Sequence, residues 1–331
     1  MEIAIQNSLT DEVLAKAAIL YNTPIDSIKK IGGFENFVFE YIKDNESYIL
    51  RFVHSGHRTT IQVLAELEFI DFLDKSGAPV STVVHSENSN LVEVIDIDEN
   101  YFTICVFEKA PGNIVKKDDL TDEFYIKFGR EVGKFHRLTK MYVPVHKRIE
   151  WDQDLYFESA EKCLPKKDLK IIEIYKNLVK KLQKLPKNID NYGLIHTDLH
   201  FGNMFIQGGN LMFFDWDDSA YKHFISDIAI VLFYHFAFSD ISQEELDSKS
   251  QRVLALFLEG YQKENSIDFS FLKNLNDFFL LRTIVLYIVI YAAGEELVDS
   301  DWGKNYINKN RMRIIENIPF LTLDVVLKDL K

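Results

Sequence analysis

The chain has 331 residues, too many for one ordinary hydrophobic core, so two lobes are expected. With 47% hydrophobic residues, 26 Phe and 15 Tyr it can bury a large core, and it shows no disordered, collagenous or repetitive bias. A formal net charge of -13, carried mostly by the first third of the chain, argues against the basic stripe that marks a nucleic-acid surface.

The N-terminal MEIAIQNSLTDEV lacks the basic and apolar regions of a signal peptide, which makes a cytoplasmic protein the expectation. Cys105 and Cys163 stand apart without a CxxC spacing and read as ordinary thiols in a reducing compartment. Past Gly32 and Gly33, the runs Phe37 to Ile42 and Tyr48 to Phe52 flank the turn-rich KDNE and predict an antiparallel hairpin. Apolar residues at helical spacing predict a helix from Thr60 to Lys75, with Gly77 just beyond it. VSTVVHS, LVEVIDI and YFTICVFE supply further strands, so the first part reads as a small sheet with one helix. After Pro111 and Gly112 the pattern turns helical, and the division is drawn between residues 1–108 and 109–331. Asp168 to Leu185 is amphipathic and is stopped by Pro186. The longest apolar stretch, Thr283 to Ala293, is far shorter than the ~20 residues that span a bilayer and predicts a buried helix.

Function is concentrated in HTDLHFGNMF, residues 196–205. His196, Asp198 and His200 alternate, as three ligands on one face of a strand would for a metal such as zinc. The sequence continues through MFIQ, Gly208, Gly209 and Asn210 to LMFF and DWDD, which predicts a hairpin with Asn203 at one end and Asp215 at the other. Asp198, Asn203 and Asp215 would then converge as a base and two oxygen ligands suited to a hard cation such as magnesium. The zinc reading needs further ligands, and His54, His57, His85, His136, His146, His223 and His235 form no HxH or HExxH pattern.

An Asp, an Asn five residues on, and a second Asp after a hairpin resemble the catalytic loop and metal-binding aspartate of protein-kinase-like phosphotransferases. His196 before the base, and DWDD in place of DFG, make the chain more similar to the aminoglycoside phosphotransferase and choline kinase family. GGFEN, the strand ending at Arg51, the helix carrying Glu66, VFEKAPG, GREVGKFHRL and SDIAIVLF follow in the matching order. The resemblance implies an α+β, bilobal protein-kinase-like fold, with an antiparallel-sheet N-lobe carrying one main helix and a mainly helical C-lobe. It implies Mg2+-dependent transfer of a nucleoside triphosphate's γ-phosphoryl group to a hydroxyl of a small molecule: an antibiotic, an amino alcohol, a homoserine-like compound or a sugar. ATP is the expected donor, with GTP left open. Asp198 would be the base, Asn203 and Asp215 the metal ligands, and Asp217 a further ligand or an acceptor behind the metal. Gly32, Gly33, Phe34 and Asn36 would form the phosphate loop, where glycine lets backbone N–H groups approach a nucleotide. Arg51 stands where the family carries a lysine, and its guanidinium can hold phosphate oxygens bidentately. Val106, Phe107, Glu108 and Lys109 would meet adenine through their backbone groups, and the aspartate matching Asp227 braces the catalytic loop.

Periodicity selects Glu66 as the partner of Arg51. Val63, Phe69, Ile70 and Leu73 share its face, whereas Glu68 shares one with Asp71 and Lys75. Asp215 and Asp227 are only 12 positions apart, which leaves little room for the activation segment of a protein kinase. A bacterial Ser/Thr protein kinase of the same fold is the alternative, and a zinc hydrolase using His196, Asp198 and His200 a more distant one. For the acceptor, Trp151, Asp152, Asp154 and Tyr156, with Glu295, Glu296, Asp299, Asp301 and Trp302, could form an amine cage of carboxylates and a ring face. The expected partner is therefore a small hydroxyl compound, cationic on this reading, with no nucleic acid, membrane or obligate protein partner.

Overall fold

The computed structural model describes residues 8–33, 35–153, 155–328 and 330. In chain order these form α1 (Asp11–Leu20), β1 (Lys29–Gly32), β2 (Phe37–Lys43), β3 (Glu46–His54), α2 (Thr60–Lys75), β4 (Val83–Val84), β5 (Glu93–Ile97), β6 (Asn100–Glu108) and β7 (Asn113–Ile114). There follow α3 (Asp122–Thr139), α4 (Phe157–Cys163), α5 (Leu169–Leu182), β8 (Tyr192–Ile195), β9 (Met204–Gln207), β10 (Asn210–Phe213) and β11 (Ala220–His223). The chain closes with α6 (Ile225–Phe236), α7 (Gln243–Tyr261), α8 (Leu275–Ala292), α9 (Glu295–Asp299), α10 (Asp301–Ile315) and α11 (Leu323–Val326). Two compact units result, and they do not divide at residue 108. The first takes residues up to Ile114 together with Met141–Arg148 and Met204–Asp217, and the second takes the rest. The hairpin explains the difference, because β9 pairs with β7 and Phe213 bridges to Val80, which ties a late segment to the first unit.

In the first unit the sheet runs β1-β2-β3-β6-β4, with β5 also on β6, and its pairs are antiparallel. Phe37, Phe39, Leu50, Phe52, Phe102 and Ile104 point to one face, where they pack with Val13, Ala17 and Tyr21. Helix α1 is thus a second helix, absent from the sequence expectation. Its apolar residues, seven of ten, are spread around the helix instead of gathered on one face, and its N-cap is the Thr10 side chain, so the signal lies in the sheet it covers. Alternation along β3 sends Arg51 to the opposite face from Leu50 and Phe52. Helix α2 has the predicted bounds and opens on a capping box between Thr59 and Gln62. The hairpin from β9 to β10 turns on Gly208 and Gly209, both at positive φ (56° and 76°), as a tight two-residue turn requires.

The second unit is built on helices. Where α3 crosses α7 the backbones touch: a Cβ on Gly129 would come within 1.8 Å of Phe257 O, and one on Gly260 within 1.7 Å of Ile126 O. The glycines of GREVG and LEGY are therefore packing residues. β8 and β11 form a short antiparallel ladder that carries the 196–203 loop at one end. Helix α5 is shorter than predicted, because Asp168 lies in a preceding 3-10 turn and is fully buried against Tyr287 and Arg311. Helix α8 contains the predicted apolar stretch. The segment Phe269–Ala292 is long and apolar enough to cross a membrane, yet half of it is buried within the protein and it carries Arg282.

Candidate active site

In the first unit the glycine pair separates into unlike members. Gly33 has φ +117° and a Cβ there would lie 1.8 Å from Asn36 O, whereas Gly32 meets nothing within 4 Å. Only Gly33 is needed for the turn. Asn36 behind it is buried, and Phe34 lies outside the described residues.

Arg51 is buried and meets Glu66 end-on. Nη1 donates to Oε1 at 2.9 Å and Nη2 to Oε2 at 2.8 Å, while Nε points at Cys105 Sγ at 3.4 Å. The Phe107 ring lies 5.2 Å from the guanidinium carbon. Burial would weaken this cation, but its neighbours, Glu66 and Asp217 among them, hold its pKa well above the ordinary value. Burial also pushes the Cys105 thiol up to about 11, so it stays protonated. Glu66 is fully buried, the inward register its periodicity indicated. The bidentate face of Arg51 is consequently spent on Glu66, and the phosphate fork expected from the sequence is corrected to single N–H donors at most. Glu68 is no plain surface residue, since it accepts from the His146 amide at 3.0 Å and from His146 Nδ1 at 2.8 Å.

The adenine contacts narrow for a similar reason. The Glu108 amide donates to Thr82 O at 2.9 Å and the Lys109 amide to Ser47 O at 3.0 Å, while Val106 and Phe107 are paired with β3 and β4. Neither amide is available to a purine, which leaves carbonyl oxygens as the acceptors this stretch offers.

Asp215, at the end of the hairpin, takes a left-handed φ of 63°, and such backbone strain clusters at functional positions. Asp217 is enclosed by cations. His57 Nε2 sits 2.7 Å from its Oδ2, Arg58 Nε 3.9 Å from its Oδ1, and Glu35 lies 3.4 Å from the same His57 nitrogen. Arg148 donates to its backbone oxygen. Burial would raise the Asp217 pKa, but His57, Arg51 and Arg58 outweigh it and hold the carboxyl well below the usual range. His57 holds Oδ2, whereas Oδ1 is buried without a hydrogen-bond partner and has Arg58 only at 3.9 Å, which fits either role read for Asp217. Sequence reasoning missed His57 and Arg58, and no spacing signal links residues 160 positions apart.

In the second unit the 196–203 loop is braced from below. Thr197, a β-branched residue, is held at φ 67°. Its amide donates to Asp227 Oδ1 at 2.8 Å and its hydroxyl to Asp218 O at 2.7 Å, and the His196 amide reaches Asp227 Oδ2 at 3.3 Å. Asp227 is buried and also meets His136 Nε2 at 3.0 Å, whose Nδ1 lies 2.8 Å from the Tyr261 hydroxyl. Asp227 therefore braces the loop rather than capping α6. His196 is buried and its Nδ1 accepts from the Asp198 amide at 3.3 Å, a structural role.

Asp198 itself is partly exposed. Arg282 Nη2 donates to its Oδ1 at 2.5 Å, and Asn203 Nδ2 donates to its backbone O at 3.0 Å and its Oδ2 at 3.3 Å. His200 Nε2 is 3.3 Å from the same Oδ2. Burial would raise the Asp198 pKa, but Arg282 first, then His200 and His196, hold it well below the carboxylate range. Tyr234 accepts from Arg282 Nε at 3.1 Å, and its ring centroid is 4.8 Å from that of His200. With its amide nitrogen turned to Asp198, Asn203 presents its carboxamide oxygen elsewhere, a hard donor that fits Mg2+. Zinc fits poorly, because an arginine and an amide N–H already occupy the Asp198 carboxylate. Arg282 and Tyr234 were not found from the sequence, since their partners lie in distant segments.

The amine cage does not assemble. No hydrogen bond, ion pair or ring contact among the described residues joins Trp151 or Asp152 to Glu295, Asp299, Asp301 or Trp302. Trp151 is buried under the Lys222 ammonium, Asp152 accepts from Gln183, and Asp299 pairs with Lys304. Glu295 and Asp301 are exposed, and Trp302 stacks on Tyr306. Asp154 lies outside the described residues.

A braced loop presenting an aspartate and an asparagine, with a buried Arg–Glu pair on an antiparallel sheet, defines a protein-kinase-like phosphotransferase. The sequence model of the phosphotransferase enzyme family matches residues 27–265, and the chain belongs to that family. It is 33% identical over 318 residues to amicoumacin kinase of Bacillus subtilis (strain 168), covering 95% of this chain and 94% of that protein. The solved structure of an amicoumacin kinase with AMP-PNP, Ca2+ and Ami superposes with a TM-score of 0.90 at 30% identity, covering 97% of this chain and 98% of that one. A microcompartment-associated aminopropanol kinase shares the fold, with a TM-score of 0.73 at 19% identity over 93% of this chain and 98% of that one.

Proposed function

We propose that this enzyme transfers the γ-phosphoryl group of ATP to a hydroxyl of amicoumacin or a closely similar antibiotic. The observation that carries the reading is likeness to amicoumacin kinase over nearly the whole length of both proteins. Asp198 orients the acceptor hydroxyl and takes its proton as the new O–P bond forms and the bond to the departing ADP oxygen breaks. Arg282 and Asn203 fix the Asp198 carboxylate, so the rotamer is set before substrate arrives. Gly33 lets the backbone of the preceding loop approach phosphate, and Glu66 fixes Arg51 beneath it. The proposed ligands of the divalent ion are the Asn203 oxygen and the Asp215 carboxylate, and Mg2+ bound there would neutralise phosphate charge.

The test is phosphate transfer by the purified protein from ATP or GTP to amicoumacin, 1-amino-2-propanol, spectinomycin and choline. ATP with amicoumacin should give the highest kcat/KM, and activity lost to a chelator should return with Mg2+ or Mn2+. Return with Zn2+ alone, or no transfer to amicoumacin, would overturn the proposal.

A further inference from the structure

Tyr234 and Phe238, four positions apart at the end of α6, and Trp302 and Tyr306, four apart on α10, bring their rings into one row. From the catalytic loop outward, the His200 centroid lies 4.8 Å from that of Tyr234, Tyr234 lies 6.2 Å from Phe238, and Phe238 lies 6.0 Å from Trp302, distances at which rings attract. Tyr306 supports the outer two, 5.9 Å from Phe238 and 6.0 Å from Trp302. The inner end of the row is tied to the base, because Arg282, which donates to Asp198, also donates to the Tyr234 hydroxyl. The outer end is fixed too. The Tyr306 hydroxyl donates to Thr283 O at 3.1 Å, next to Arg282 on α8. Lys309 of α10 donates to Ala237 O at 3.1 Å and Ser239 O at 2.8 Å, on either side of Phe238. Tyr306 is 3% exposed, as a supporting ring should be, yet Phe238 and Trp302 are 46% and 42% exposed. Two touching rings that keep this much apolar surface in water, on a braced footing that leads from the base, form a surface suited to a ligand.

We propose that Phe238 and Trp302 form an outer acceptor subsite, and that the enzyme prefers hydroxyl compounds carrying a flat aromatic ring, which stacks there while the hydroxyl reaches Asp198. This rests on the kinase reading above and deepens it. The guanidinium of Arg282 already lies over Tyr234, 5.0 Å from its ring centroid. An ammonium entering along the row would approach that like charge, whereas a neutral ring needs only apolar faces. Acceptors too short to leave the base gain nothing from the outer rings.

The test measures binding, so it needs no turnover. With AMP-PNP and Mg2+ present, 4-phenyl-1-butanol, 4-cyclohexyl-1-butanol, 1-amino-2-propanol and choline are titrated by calorimetry and by tryptophan fluorescence. The phenyl alcohol should bind more tightly than the cyclohexyl alcohol, which matches it in length but is not flat, and more tightly than either amine. Trp151 and Trp216 are buried, so the stacked ring should change the emission of Trp302, and Trp302→Phe should abolish that change. Trp302→Ala should weaken binding of the phenyl alcohol by about 10-fold to 100-fold without moving the KM of ATP, a loss set by one stacked ring. Trp302→Phe should recover most of the affinity, which separates a lost ring from a damaged fold. Equal or tighter binding of the cyclohexyl alcohol or of choline, no binding of the phenyl alcohol, or unchanged affinity in Trp302→Ala would each overturn the inference. Any of these in a protein that still transfers phosphate to amicoumacin would leave the proposed function standing. A protein that shows the phenyl preference but transfers phosphate to no acceptor would overturn the proposed function instead.

Discussion

Two arginine–carboxylate pairs, one in each unit, are built differently, one buried and one half-buried. Arg51 and Glu66 meet end-on through both nitrogens and both oxygens, and Glu66 has no exposed surface. Arg282 reaches Asp198 through one nitrogen and one oxygen, while Asn203 and His200 share the other oxygen and the carboxylate stays open to solvent. A closed pair satisfies both charges and fixes a strand to a helix. An open pair holds a carboxylate in orientation while leaving it a surface on which to act. A guanidinium partner is common to both, so the difference in function follows from exposure and from how many lone pairs remain unspent.

The comparison can be broken at its most sensitive point first. Asp198→Asn should lower turnover by about 10²- to 10⁴-fold with nucleotide affinity nearly unchanged, because the base acts in the transition state. Single-turnover kinetics with an equilibrium ATP titration checks this, and unaltered turnover would remove Asp198 from the mechanism.

The closed pair should fail in stability. Glu66→Ala leaves Arg51 buried and uncompensated, an expected loss of about 3–5 kcal/mol in denaturant unfolding. Glu68→Ala, which loses contacts only to His146, should cost about 1 kcal/mol. A double-mutant cycle between positions 51 and 66 should show coupling, and its absence would mean the pair contributes nothing specific.

The open pair should fail in rate instead. Arg282→Ala should lower kcat by on the order of 10-fold to 10²-fold through loss of carboxylate positioning, with a smaller effect on the melting temperature than Glu66→Ala. If its main effect is unfolding, the two pairs do the same work.

A smaller, pH-linked effect distinguishes the units further. In the second unit burial pulls His223 and His235 down to about 4 from 6.5, so both are neutral in the fold. The unfolded chain binds these protons more readily, so the stability they contribute is complete above pH 6.5 and is lost as pH falls toward about 4. In the first unit His57 is raised above 6.5: burial lowers it, but Asp217 outweighs that, and the sign is opposite. The melting temperature should therefore drop on acidification from pH 6.5, and His223→Phe, which keeps a ring in an apolar niche, should flatten that drop. An unchanged slope in the variant would show that His223 is not the linked group.

Local physics made part of this protein legible in its residues alone. The period of two in Phe37 to Ile42, the helical spacing around Glu66 and the Gly208–Gly209 turn each depend on neighbours within one element, so strands, helix register and hairpin could be derived before any contact was known. The loop carrying Asp198 and Asn203 was legible for the same reason, since its donors sit within a few positions. Tertiary structure alone decided what lies across the chain. Helix α1 forms because a sheet face needs covering, and its own periodicity is too weak to announce it. Arg282 reaches a base 84 positions away, and His57 an aspartate 160 positions away. The amine cage failed because acidic residues near a tryptophan in sequence say nothing of which cation already covers the ring. Charge partners over such separations are chosen by packing geometry, for which one-dimensional order carries no distance.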